Sequence, residues 1–133
     1  MATFGLIEYE DASAEVREVY DDIMRTRNTD RVNNVWKALA HDPARLREFW
    51  LRIKTIMGPG GDLDPLVKEM IYIAVSVTNH CEYCIASHTA SARKKGLTPE
   101  MFSELMAVIG LANEGNRIAA GYQLEVDAQF RTP

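Results

Sequence analysis

The stretch Glu69-Met-Ile-Tyr-Ile-Ala-Val-Ser-Val-Thr-Asn-His-Cys81-Glu-Tyr-Cys84-Ile-Ala-Ser-His88 holds both cysteines of the chain, three residues apart. Read as helix, turn, helix, it places Cys84 and His88 one turn apart, with Cys81 three residues earlier on the same face. A thiol attacks only as thiolate, and its ordinary pKa of about 8.5 is lowered by a helix N-terminus, a cationic or basic neighbour, or C-x-x-C spacing. The second helix begins near Cys81, where unpaired N–H groups carry the positive end of the helix dipole. One helical turn brings the two Cα atoms within the roughly 4.4–6.8 Å that a disulfide tolerates, so the pair is suited to a redox switch.

Glu69 enters through hairpin geometry. With the turn at Thr78-Asn79-His80, positions on the two antiparallel helices face each other when their numbers total about 157, which pairs 69 with 88. The helix from Pro65 to about Thr78 is apolar on nearly every side (Leu66, Val67, Met70, Ile71, Ile73, Ala74, Val75, Val77), as a buried helix is. A carboxylate inside it needs a partner or must take up a proton. The expected arrangement is a relay in which Glu69 orients His88, and His88 takes the proton from a cysteine directly or through water.

The spacing of Glu69, Cys81, Cys84 and His88 resembles that of the alkylhydroperoxidase AhpD-like branch of the carboxymuconolactone decarboxylase family. These are all-helical proteins marked by a Glu, a C-x-x-C twelve residues on, and a His four beyond the second Cys. The likeness is close over residues 64–96 and looser around them. It implies a peroxide-reducing site in which Cys84 is oxidised to a sulfenic acid. Cys81 donates a proton and then closes the disulfide, and Glu69 with His88 moves the protons. It also implies a hydroperoxide substrate, a dithiol or thioredoxin-like reductant, no cofactor, and symmetric trimers or hexamers. Where some members carry a second His between the cysteines, this chain has Glu82 and Tyr83, so a shorter relay and weaker activity are expected. Helix position by itself favours Cys81 as the attacking thiol, being nearer the helix N-terminus.

Other readings of the same residues stand beside this one. Cys81, Cys84, His88 and Glu69 would supply four zinc ligands to a zinc-stapled interaction protein, although structural zinc pairs usually sit on knuckle loops. Two buried structural cysteines are a third possibility. Lactone chemistry would use Glu69 and His88 as acid and base, but members that decarboxylate a lactone generally lack the C-x-x-C.

The chain has 133 residues, the size of one domain, 1–133, with a single core. A net charge of −4 and a pI near 5.4, with Lys and Arg scattered among acids, give no electrostatic footprint for nucleic acid. No stretch approaches the roughly 20 apolar residues of a membrane span. The N-terminus lacks the basic start and apolar core of a signal peptide, so a cytoplasmic protein is expected. In a reducing compartment a lone C-x-x-C reads as catalytic or metal-binding rather than as a staple. Two tryptophans, five tyrosines and six methionines are more apolar mass than a small bundle must hide, which points to a partner subunit.

Along the chain, residues 1–10 read as an extended lead-in. Asp11 or Ser13 caps a helix to about Arg27, and a second helix runs from Val32 to Ala40. Pro43 starts a third that reaches about Met57. Gly58-Pro59-Gly60-Gly61 is a break with no phosphate-binding pattern. Asp64 and Pro65 start the Glu69 helix, and Gly96 stops the cysteine helix. Thr98-Pro99-Glu100 restarts the chain, and beyond Gly110 a separate final helix spans about Ala112 to Phe130. With no sustained period-two alternation, the fold expected is all-α: six or seven helices around a central antiparallel pair at 65–78 and 81–95.

Overall fold

A computed structural model describes residues 1–131 and is all-helical, with six α-helices and two short 3₁₀ turns among those residues. The chain forms two compact units, Met1–Gly60 and the residues from Gly61 onward. In the first unit, α1 (Ala14–Arg27), α2 (Asn34–Leu39) and α3 (Pro43–Met57) follow a 3₁₀ turn at Tyr9–Asp11. Ser13 caps α1 by accepting the Val16 N–H, and Asp42 with Pro43 starts α3, as their residue types favour. The core closes on Val16, Val19, Tyr20, Ile23, Trp36, Leu46 and Trp50, and the two indoles meet edge to face at 5.4 Å. Asp22 accepts the Trp50 Nε1–H at 2.7 Å and the Lys54 ammonium at 3.0 Å, so the helices are tied at a polar rim as well. The lead-in is not wholly extended: the turn at Tyr9–Asp11 bends it, and Tyr20 Oη donates to the Ile7 carbonyl at 2.8 Å.

The second unit holds α4 (Pro65–Thr78), α5 (Glu82–Lys94) and α6 (Pro99–Gly121). The helix α4 packs on both α5 and α6, around Ile73, Ala92, Leu97, Leu105 and Ile109. The break expected near Gly110 does not occur; α6 runs unbroken through Gly110 and Gly115 for 23 residues. Each glycine costs a helix about 1 kcal/mol relative to alanine, but the buried Leu105 and Ile109 are followed one turn on by the half-buried Asn113. Asn113 Nδ2–H donates to the Ile109 carbonyl and to Thr78 Oγ1 on α4, which carries the helix past the weak points. The separate helix to Phe130 is replaced by a stop at Gly121, where Gln123 takes a left-handed φ of 51°. Leu124 N–H then reaches back to the Ala119 carbonyl, closing the last turn. Beyond it only a 3₁₀ turn at Ala128–Phe130 is helical. Among the described residues no helix is long and apolar enough to cross a membrane.

The joint between α4 and α5 is the tightest in this unit. His80 adopts φ 56°, its N–H bonds to the Val77 carbonyl, and the Cys81 N–H bonds back to the Ser76 carbonyl at 2.9 Å. This is a Schellman closure made without glycine, using a residue type that tolerates the left-handed region better than most. Its last residue is Cys81, so the bond that ends α4 also fixes where the thiol pair begins. At the far end of α5 the same closure recurs with Gly96 at φ 102°, and Leu97 N–H to the Ala92 carbonyl. The buried Leu97 and Ala92 supply the apolar contact that accompanies it.

Candidate active site: a thiol pair beside a buried carboxylate

Cys81 is not inside α5 but caps it. Its Sγ accepts the Cys84 N–H at 3.4 Å, and its carbonyl accepts the Ile85 N–H that opens the helix. Sulfur is a weak acceptor when neutral and a much better one as thiolate, so a cap of this kind favours ionisation. The Cys84 thiol and the Cys84 amide both donate to Cys81 and hold its pKa below the ordinary thiol value, against a small opposing effect of burial. Cys84 moves the other way, to about 11, because it is more deeply set and because an ionised Cys81 beside it opposes a second negative charge. Both cysteines are free thiols, and Cys81 is the more acidic of the two.

Glu69 lies across from them on α4 and is 4% exposed. His88 Nδ1–H donates to its Oε2 at 2.7 Å. Its Oε1 accepts from Ser91 Oγ at 2.8 Å and from Lys95 Nζ at 3.0 Å, and Lys95 also donates to Ser91 at 2.9 Å. Burial pushes the Glu69 carboxyl up, but the hydrogen bonds from His88, Ser91 and Lys95, with the charge of Lys95, outweigh it and bring the pKa to about 2. An ionised carboxylate only accepts, so Nδ1 carries the proton that faces Glu69 and Nε2 is left for another partner. Tyr72, one turn along α4 from Glu69, lies flat on the imidazole with centroids 3.5 Å apart and planes 18° apart.

The structure thus places Glu69 against His88, and Cys81 against Cys84, at the register the numbering suggests. Sequence reasoning missed Tyr72, Ser91 and Lys95. The signal was there for two of them: Cys84, His88, Ser91 and Lys95 fall at intervals of four, three and four, which is one stripe of α5 and its C-cap. A stripe that begins with a thiol and ends with a cation, facing a lone buried acid, points to Lys95 as that acid's counter-charge. Among the described residues no group of three or more His, Cys, Asp or Glu side chains is set to hold a metal ion.

Residues 44–124 match the model of the carboxymuconolactone decarboxylase family. The chain belongs to that family. Within it the chain is AhpD-like: the solved alkylhydroperoxidase AhpD core from Rhodospirillum rubrum superposes with a TM-score of 0.96. That match is 48% identical and covers 100% of this chain and 99% of the other. The alkyl hydroperoxide reductase AhpD of Maricaulis maris is 39% identical over 94 residues, 67% of this chain and 51% of that protein. An uncharacterised protein of the cox locus in Paracoccus denitrificans is 31% identical over 65 residues, 49% of this chain and 59% of its own. The matched stretch therefore spans little more than half the length of these two relatives, and the all-helical AhpD-like fold is shared over the full chain with the solved core.

Proposed function

We propose that the chain is a thiol-dependent peroxidase that reduces hydrogen peroxide or an organic hydroperoxide through Cys81 and Cys84, with Glu69 and His88 handling protons. The observation that supports it most is the pairing of an acid-shifted cap thiol with a second thiol one helical turn from an imidazole whose Nδ1–H is committed to a buried carboxylate. The names of the Rhodospirillum and Maricaulis relatives point the same way.

In the proposed cycle the Cys84 proton passes to His88 Nε2, directly or through water. The Cys84 sulfur attacks the peroxide oxygen, an S–O bond forms, the O–O bond breaks, and the departing alkoxide takes the proton from His88. Glu69, fixed as a carboxylate, stabilises the imidazolium in between. Cys84 is given the first attack by its one-turn relation to His88, although the more acidic thiol is Cys81. Cys81, losing its proton as it reacts, then attacks the sulfenic sulfur; the S–S bond forms, the S–O bond breaks, and the departing hydroxide takes up that proton as water. Cys81, the more acidic of the two, serves as the resolving thiol, and the proton for the alkoxide comes from His88. An external dithiol of the thioredoxin type returns two electrons and two protons by exchange. No cofactor enters, a homo-oligomer in the cytoplasm is the proposed setting, and Tyr83 between the cysteines makes this relay one imidazole shorter.

The test is hydroperoxide consumption with a dithiol donor for the wild type, Cys81→Ser and Cys84→Ser, with dimedone trapping in each single variant. Turnover lost in both, with sulfenic acid trapped on Cys84 in Cys81→Ser, supports the cycle. Label on Cys81 in the Cys84→Ser protein, and none on Cys84, reverses the two roles. Activity on lactones that survives replacement of both cysteines would replace the peroxidase reading with acid–base chemistry.

A further inference from the structure

We infer that Tyr72 is a positioning residue whose ring, rather than its hydroxyl, fixes the plane of the His88 imidazole so that Nε2 is presented to the thiol pair. This rests on the proposed role of His88 as the proton carrier. The Glu69 hydrogen bond holds the ring at one edge, at Nδ1 by a single 2.7 Å contact, and leaves the ring plane the freedom to rock as χ1 and χ2 adjust together. The Tyr72 face removes it: planes 18° apart and centroids at 3.5 Å allow the imidazole to slide little and tilt less. Stacked aromatic pairs contribute beyond the area they bury, and a ring is a rigid wall.

The location follows from the hairpin. The Cys81 N–H to Ser76 carbonyl bond and the Glu69–His88 pair fix one register at both ends of the α4–α5 interface. In that register Tyr72 lies opposite Ile85, between the turns that carry Cys84 and His88. Its phenol is raised in pKa by burial first and then by the charges of Cys84, Cys81 and Glu69, which places it among the same groups. Among the described residues its hydroxyl makes no hydrogen bond to these groups, whereas the ring contact is close, so the ring is the part in use.

The experiment compares wild type, Tyr72→Phe and Tyr72→Leu by two readouts. The first is the NMR position of the His88 ring protons, identified among the three histidines with His88→Asn and read in the reduced protein, where a stacked ring shields them. The second is the rate of hydroperoxide-driven thiol loss. Tyr72→Phe keeps both the shielding and the rate. Tyr72→Leu loses the shielding and slows thiol loss by roughly 10- to 100-fold, the scale on which misplacing a reacting group acts. A Tyr72→Phe protein as slow as Tyr72→Leu would make the hydroxyl the functional part and overturn the inference, as would a Tyr72→Leu protein with unchanged His88 resonances. A wild-type protein with shielded His88 protons but no thiol loss would count against the peroxidase reading alone.

Discussion

Replacing Glu69 by Gln tests the ionisation of the buried acid directly. In the folded chain the carboxyl titrates at about 2 against an ordinary 4.5, because three donors and the charge of Lys95 outweigh burial. A folded-state pKa depressed in this way contributes stability that is fully present above the unfolded value and is lost as pH falls toward the folded one. At about 1.4 kcal/mol per unit the whole contribution is about 3 kcal/mol, of which about 2 kcal/mol is gone by pH 3. Urea unfolding followed by far-ultraviolet circular dichroism at pH 6 and pH 3 measures it as a double difference. Glu69→Gln is less stable than wild type at pH 6, since His88, Ser91 and Lys95 lose a charged acceptor, and the gap narrows by about 2 kcal/mol at pH 3. Other carboxylates, Asp22 among them, titrate in both proteins and cancel. A gap of the same size at both pH values would refute the claim that Glu69 is held as a carboxylate by its partners.

Iodoacetamide at pH 7 should label Cys81 before Cys84, and Cys84→Ala should slow the labelling of Cys81 by removing the thiol that stabilises its charge; peptide mapping with Cys84 labelled first would contradict this. His80→Gly should raise the melting temperature, by up to about 1 kcal/mol in stability, since the turn holds a side chain at φ 56° that glycine adopts freely; a loss of stability would show that the His80 ring matters to the fold. Ile73→Ala, at the fully buried centre of the second unit, should cost about 2–5 kcal/mol in chemical denaturation, and a cost below 1 kcal/mol would mean the α4–α6 contact is not packed as described.

Much of this arrangement was legible in the chain because its helix signals are local. Asp64-Pro65 starts α4, Thr98-Pro99 starts α6, and Gly96 ends α5 at the residues their chemistry favours. The facing of Glu69 and His88 followed from a short turn and the period of two antiparallel helices. What was not legible depends on tertiary surroundings. Gly110 looked like a helix end because glycine weakens a helix, yet the buried Leu105 and Ile109 before it and the Asn113 contacts to Ile109 and Thr78 beyond it carry α6 through it. The order of the two thiol acidities could not be read from spacing, since it turns on Cys84 lying deeper than Cys81 and on Cys81 standing as the cap. Ser91 and Lys95 share the stripe of Cys84 and His88, but only the depth of Glu69 shows why a cation and a hydroxyl belong there. Tyr72 reads as one more apolar position of α4 until the imidazole is seen against it.

The central claim is that the two thiols work as one redox unit. Adding one equivalent of hydroperoxide to fully reduced protein without oxygen, then counting thiols and mapping disulfides by mass spectrometry, tests it most directly. The account predicts the loss of both thiols, a Cys81–Cys84 bridge within one chain, and recovery of both on adding a dithiol. Two thiols remaining, or a loss that no dithiol reverses, would contradict it.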